Sequence, residues 1–325
     1  MIAGIFRSNQ LLFAYGTIGL MSVLLVGSTL LVPEPPALRD GEHLLTTYLH
    51  LLPFPLLMLL QAVVLVAGAI VFNQLLVNEK IARDYNSIFL LAYFIAASSH
   101  TAWRFASGAS LSGFLLLVVI RNFMAAGNSK RQLSLVFDAG FLGGLAFLLY
   151  DPAWVIFPMS LLGIVLGGFF RWRALLIWLF GYFTPLYLMA AIAYLANQKV
   201  WLDALLPSFE LPVWYNFTLS FAEKALLAFV LAMLILGVLI SFTGVNLKTN
   251  ALRNAQRFFF ILLLCIVPAL WLIPADGWMM AIMFAPISAF YMGRFLEAVP
   301  TQGLLNTLLL LWVLLVIMPF LPLPL

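Results

Sequence analysis

The sequence has very little charge for its length. Only 9% of its 325 residues are charged, 65% are hydrophobic, and the mean hydropathy is +1.11. A soluble domain is about a quarter charged and about half apolar. This composition excludes a soluble globular protein, and no basic domain or tail suits it to nucleic acid. It predicts an integral membrane protein with little chain outside the bilayer.

Cysteine and histidine are also scarce, which excludes several kinds of site. The one cysteine, Cys265, cannot form a disulfide framework or a thiolate metal cluster. The phosphate-binding loop motif G-x-x-x-x-G-K-[ST] is absent, as are the motifs H-E-x-x-H and G-x-S-x-G. We therefore predict no metal and no cofactor.

Long apolar runs, separated by short polar turns, fill the chain. A helix needs about 20 residues to cross a hydrocarbon core of about 30 Å. Candidate spans, of which the third, ninth and tenth are short, cover residues 11–32, 53–73, 86–100, 108–125, 134–150, 153–170, 174–196, 218–242, 258–274, 278–293 and 303–323. The sequence predicts an all-α, polytopic transmembrane helix bundle of about 11 spans (9–12). Residues 1–325 form a single domain, with no soluble domain.

Lysine and arginine are distributed unevenly between the predicted loops. With the N-terminus in the cytoplasm, twelve of the 16 fall on the cytoplasmic side. The four on the outside are Arg39, Arg104, Lys199 and Lys224. This is the positive-inside pattern, which accounts for the net charge of +4 without an acidic partner. It predicts a multi-pass protein of the bacterial inner membrane with a periplasmic C-terminus.

The chemically richest residues are predicted to lie on the periplasmic side. Its two longest loops are residues 33–52 and 197–217, where the chain can form short helices in the interface. The first loop contains "RDGEH", with Asp40 and Glu42 as candidate catalytic acids. Candidate substrate-binding residues on this side are Arg39, His100, Trp103, Arg104, Glu223 and Lys224.

Two features of these residues favour binding. His100, Trp103 and Arg104 form a cationic and aromatic cluster at the end of the third span, which suits a phosphate or a carboxylate. Glu223 and Lys224 are predicted to lie several residues inside the eighth span, where charges are costly and often functional.

The fourth and fifth spans carry two charges at similar distances from the turn that joins them. Arg121 precedes the turn "AGNSKRQ" and Asp138 follows it. Residues at similar distances from the turn of a helical hairpin lie at similar depth in the membrane. We therefore expect Arg121 and Asp138 to form a structural ion pair, which reduces the cost of burying each charge. The alternative is a functional relay.

Glycines four residues apart occur in the fifth and sixth spans. They are Gly140 and Gly144 in one and Gly163 and Gly167 in the other. Small residues at this spacing let helix backbones approach closely in a membrane. We expect these two helices to pack tightly against each other.

The same region carries a resemblance. The segments "VVIRNFMAAGNSKRQLSLVFDAG" and "FFRWRALL", within residues 115–190, resemble an uncharacterised family of multi-pass membrane proteins from Bacteroidota, as does "MIAGIFRSNQ" at the N-terminus. The resemblance implies a membrane fold but no established activity. Some members are labelled as carotene-cleaving oxygenases, whose iron needs four histidines, whereas this chain has three.

Three functions are compatible with the sequence. In membrane glycosyltransferases that use polyprenyl-phosphate sugars, a catalytic acid lies in the first outer loop, the position of Asp40 and Glu42. Such an acid would act as general base on the acceptor hydroxyl, with Arg39 or Arg104 holding the lipid phosphate. The first hypothesis is thus a protein that handles a lipid-linked envelope precursor at a periplasm-facing cavity.

The two alternative functions give the charged residues a different role or no role. A secondary transporter would use Glu223, Lys224, Arg121 and Asp138 as ion or proton sites. A non-catalytic membrane subunit of an envelope or secretion assembly would need no such site. The predicted partners are membrane lipid, a lipid-linked saccharide or other envelope proteins, and no nucleic acid.

Overall fold

A computed structural model describes residues 11–28, 51–82, 87–98, 106–127, 131–166, 171–197, 221–243, 250–272 and 283–317. Within these ranges the chain forms eleven α-helices. They are α1 (Leu11–Ser28), α2 (Phe54–Asn78), α3 (Ile88–Ala97), α4 (Gly108–Ala126), α5 (Gln132–Leu149), α6 (Ile156–Leu166), α7 (Trp172–Leu195), α8 (Phe221–Thr243), α9 (Asn250–Leu272), α10 (Ala285–Ala298) and α11 (Gln302–Ile317). A 3₁₀ helix, Asp151–Val155, leads into α6.

Five of the described helices are long and apolar enough to cross a membrane: α2, α4, α5, α7 and α8. Three shorter apolar segments, at α3, α6 and α11, accompany them. The length and composition of these helices indicate a helical membrane protein. The predicted count of about 11 spans and their orientation stay predictions.

Contacts between helix ends show which helices are antiparallel. The Ser112 hydroxyl, in the second turn of α4, donates to the Ala146 carbonyl near the end of α5 at 2.9 Å. Phe89, at the start of α3, lies against Gly293 in the second half of α10. The helices α4 and α5 therefore run in opposite directions.

Other contacts identify one parallel pair, α5–α7, in which residue numbers rise together. Gly140 of α5 lies against Trp178 of α7, and Gly144 lies further along against Tyr182 and Pro185. The pairs α5–α7 and α8–α10 pack closely, and Gly237 of α8 lies against the backbone of Tyr291. Since α5 and α7 are parallel and both are long enough to span, α6 must return the chain between them.

Two short helices form the centre of the bundle. All ten residues of α3 are buried, and it is only about 15 Å long. It packs against α10, which has 14 residues and is largely buried. The rings of Phe259 in α9 and Phe290 in α10 stack with centroids 4.3 Å apart. Longer helices therefore surround a core whose central elements are shorter than a bilayer.

The packing partner of the α5 glycines differs from the expectation. Gly140 and Gly144 lie against α7, where Gly181 in turn lies against the Phe137 carbonyl of α5. Gly163 of α6 instead faces the ring of Phe123 in α4. The closest approach of α5 is thus to α7. Small residues show which face of a helix can pack closely, but they do not show which helix packs there. Gly167 lies outside the described residues.

Helix α9 starts eight residues before the apolar run that predicted it. It begins at Asn250, and its first turns bury Leu252 and Ala255 while Arg253 and Arg257 are exposed. The predicted span began only at residue 258 because charged residues precede that position. In the structure these charged residues lie on one face of a helix whose other face is packed. An amphipathic start is a helical signal that a search for continuous apolar runs misses.

Candidate functional site

The segment that carries His100, Trp103 and Arg104 joins two buried points. Ser98, just after α3, and Ala106, just before α4, each have no exposed surface. Residues 99–105 between them lie outside the described ranges. The charged cluster is thus carried by a seven-residue connection that leaves from and returns to the protein interior.

The end of α3 is stabilised at depth by a serine. The Ser98 hydroxyl donates to the carbonyls of Phe94 at 2.6 Å and Ile95 at 3.3 Å. Helix ends leave carbonyl groups without intrahelical partners, and burying them unpaired is costly. A polar cap of this kind lets α3 end in apolar surroundings.

The start of α4 is capped in the same buried environment. Ser107 and Ser110 form a reciprocal capping box, in which the Ser107 N–H donates to Ser110 Oγ at 3.1 Å. The Ser110 N–H donates back to Ser107 Oγ at 3.3 Å. Both helix ends that flank residues 99–105 are therefore capped inside the protein, by Ser98 on one side and by Ser107 and Ser110 on the other.

A backbone hydrogen bond connects this segment to the start of α2. The Ala106 N–H donates to the Leu57 carbonyl at 3.2 Å. Leu57 and Ala106 are buried together, and Leu52 and Leu60 pack against them. Residues 33–52, the predicted first outer loop, lead directly into α2. The structure thus brings together Leu52, the last residue of that loop, and Ala106, which follows the His100–Arg104 segment in the sequence.

The remaining predicted site residues are located as follows. Arg39, Asp40, Glu42, His100, Trp103 and Arg104 lie outside the described residues. Glu223 and Lys224 lie in the first turn of α8, which begins at Phe221, and Lys224 is exposed. They are therefore at the beginning of that helix, where an acid is favoured by the helix dipole.

Arg121 and Asp138 are both exposed, and within the described residues no ion pair joins them. Among the described residues, Arg294 and Glu297, one turn apart on α10, do form an ion pair, with an N–O distance of 2.5 Å. Equal offsets from a turn determine depth but not the direction in which a side chain points. Pairing of Arg121 with Asp138 stays a prediction.

Sequence reasoning missed the buried amides of α2. Gln61 has no exposed surface, and both atoms of its amide lack a hydrogen-bond partner. Asn73 on the same helix and Ser22 on α1 also bury an unpartnered oxygen. The signal in the sequence that could have identified these residues is that each is an isolated polar residue within an apolar run. Every buried polar residue of the described chain is an uncharged Ser, Asn or Gln.

Ligands for a metal do not converge in the described part of the chain. No group of three or more His, Cys, Asp or Glu side chains in these ranges is placed to hold a metal ion. Of the acids, Glu79 directly follows α2, and partial burial raises the pKa of its carboxyl above the ordinary value.

Comparison with known proteins identifies a family. The family described as "Family of unknown function (DUF6427)" matches residues 43–321. The chain belongs to this family. The matched region of this DUF6427 protein includes the segment 115–190 and every described helix except α1. No curated protein and no solved structure matches the chain.

Proposed function

We propose that this DUF6427 protein handles a lipid-linked envelope precursor at the end of the bundle where α2 and α4 begin. The observation that supports the proposal is the hydrogen bond between Ala106 and Leu57, which follow, in the sequence, the two segments that hold the candidate residues. The two described residues that bound this cationic segment, Ser98 and Ala106, are both buried, which adds to it. A lipid phosphate, with its charge beside a hydrocarbon chain, suits such a place.

Five of the candidate residues have a role in this proposal. Arg39 and Arg104 would bind the phosphate through charge-assisted hydrogen bonds, and Trp103 would pack against the saccharide or the lipid. Asp40 or Glu42 would take the proton of the acceptor hydroxyl. That oxygen then bonds to the anomeric carbon of the sugar, and the bond to the polyprenyl phosphate breaks with its electron pair leaving on the phosphate.

Binding can be tested apart from catalysis. The protein in lipid nanodiscs would be titrated with a short-chain polyprenyl phosphate and with the matching polyprenol, and the bound species counted by native mass spectrometry. We expect the phosphate to bind and the alcohol to bind far less. Arg104→Ala should weaken phosphate binding by roughly 10- to 100-fold, since hydrogen bonds to charged groups contribute about 1.5–3 kcal/mol.

The matched control is Arg173→Ala, which removes an exposed arginine from the start of α7. This control should bind the polyprenyl phosphate as the unchanged protein does. Equal binding of phosphate and alcohol, or equal weakening by both substitutions, would show that residues 99–105 do not form a phosphate site.

Catalysis is tested by the two acids. Asp40→Asn and Glu42→Gln keep the size of each side chain but remove a base. One of them should leave polyprenyl phosphate binding intact and cause the lipid-linked precursor to accumulate in cells, measured by mass spectrometry of extracted lipids. If both variants restore a deletion strain to normal lipid composition, the glycosyltransferase-like reaction is wrong although lipid binding still stands.

A non-catalytic membrane subunit is the second candidate, and one observation favours it. The described interior is closely packed and buries no charged side chain, as a structural element requires. In this case Asp40→Asn and Glu42→Gln would not change the lipid composition of cells. A defined set of envelope proteins would co-purify with the protein in mild detergent. Ion-coupled transport gains no such support, because Arg121, Asp138 and Lys224 are exposed.

A further inference from the structure

The exposed face of α9 changes from cationic to apolar along the helix. Arg253 and Arg257 are exposed one turn apart, and Leu264, on the same face further along, is 53% exposed. Positions i, i+4 and i+11 of a helix lie within about 40° of each other. The opposite face buries Leu252, Phe259 and Leu262. The outward face therefore presents two guanidinium groups and then hydrocarbon.

This start of α9 lies at the opposite end of the bundle from the proposed precursor site. Gln256 Nε2 donates to the Ser241 carbonyl near the end of α8 at 2.7 Å, and the Tyr291 hydroxyl donates to the Gln256 carbonyl at 3.3 Å. These bonds place the first half of α9 beside the end of α8 and the middle of α10. Gly293 there packs against Phe89 at the start of α3, and α3 follows the end of α2 after a short connection. Two different ends of the bundle are thus involved.

The two arginines are not neutralised by the described chain. Within the described residues neither Arg253 nor Arg257 forms an ion pair, and Glu297 of the neighbouring α10 is engaged by Arg294. The first turn of α9 contains no acid. Cations near the beginning of a helix are also disfavoured by its dipole, so an external anion is favourable here.

We propose that Arg253 and Arg257 bind the phosphate of an anionic phospholipid, whose acyl chains lie along the Leu264 part of α9. Side chains at i and i+4 have Cβ atoms about 5–6 Å apart, which allows two guanidinium groups to hold one phosphate. Arg257 and Leu264 are separated by about 10 Å along the helix. That separation is comparable to the distance from the headgroups into the hydrocarbon of one leaflet.

The experiment compares two double variants of equal charge. The protein in detergent would be titrated with phosphatidylglycerol and, separately, with phosphatidylcholine, and the bound lipids counted by native mass spectrometry. Arg253→Ala with Arg257→Ala should weaken phosphatidylglycerol binding by roughly 10- to 30-fold, because the lipid phosphate loses charge-assisted hydrogen bonds from two guanidinium groups. Arg171→Ala with Arg173→Ala removes the same charge at the start of α7 from exposed positions that do not share a face.

The second double variant should bind phosphatidylglycerol within about twofold of the unchanged protein, since screened charges without a built geometry contribute little. An equal loss of phosphatidylglycerol binding in both double variants would mean that binding depends on overall charge, and the proposed site would be wrong. Equal binding of phosphatidylcholine would also overturn it. If millimolar inorganic phosphate displaces phosphatidylglycerol, the site takes free phosphate and the lipid assignment is wrong. Thermal unfolding of each variant shows that the protein is folded.

Discussion

At the scale of single residues, two buried glutamines differ in what surrounds them. Gln61 in α2 is fully buried with neither amide atom paired. Gln256 in α9 is 5% exposed, and its Nε2 donates to the Ser241 carbonyl at 2.7 Å. An unpaired buried amide lowers stability, whereas a paired one connects α9 to α8. The same residue type therefore has opposite energetic effects at the two positions.

Substitution by leucine should change the stability of the protein in opposite directions at these two glutamines. Gln61→Leu should raise the free energy of unfolding by about 1–3 kcal/mol, because the desolvation cost disappears. Gln256→Leu should lower it by about 1–2 kcal/mol, because the Ser241 carbonyl loses its donor. Unfolding in SDS, followed by circular dichroism, measures both. If Gln61→Leu is destabilising, Gln61 has a polar partner in the folded protein.

At the scale of helix pairs, the glycine seam between α5 and α7 determines how closely two long helices approach. A Cβ added at Gly144 would lie against the Tyr182 carbonyl and 2.7 Å from Pro185 Cγ. Backbone and a proline ring cannot move aside as a flexible side chain can. Gly16 of α1, in contrast, has no atom within 4 Å of an added Cβ.

The same substitution should therefore have different effects at the two glycines. Gly144→Ala should lower the free energy of unfolding by about 1–3 kcal/mol through overpacking. Gly16→Ala should be neutral or stabilising by up to about 1 kcal/mol, since alanine favours helix. Thermal unfolding in detergent would compare them. Equal shifts in Tm would indicate that α5 and α7 are not in backbone contact.

Much of this element-level organisation could be predicted from the sequence. Each predicted apolar run overlaps a described helix, because hydropathy reports which segments the bilayer favours. Hydropathy does not report which helices become neighbours, so Gly140 and Gly144 identified a packing face while their partner, α7, had to be seen. The buried ends at Ser98 and Ala106 were unpredictable for the same reason, since they depend on what surrounds them.

At the scale of the whole molecule, the helix directions agree with a chain that passes back and forth. The antiparallel pair α4–α5 and the parallel pair α5–α7 each fit one reversal per helix. The exposed cations Lys80, Arg121 and Arg173 adjoin helix ends that this alternation places together. Lys224 adjoins the opposite end, at the start of α8.

Cysteine labelling tests the orientation of the molecule. With Cys265 replaced by alanine, Lys80→Cys and Arg173→Cys should react with a membrane-impermeant maleimide only in inverted membrane vesicles. Lys224→Cys should react in spheroplasts, because it is predicted to face the outside. The reverse pattern would invert the orientation, and reaction of all three from one side would contradict the alternating directions.

The burial of α3 also has a consequence for how the protein is made. Phe89 in α3 packs against Gly293 in α10, a residue about 200 positions later in the chain. At synthesis rates of about 5–20 residues per second, α10 leaves the ribosome roughly 10–40 s after α3. During that interval a helix too short to span the bilayer has no cover on its α10 side. A chain truncated after α9 should therefore be recognised and degraded by membrane proteases, because the side of α3 that α10 covers stays open.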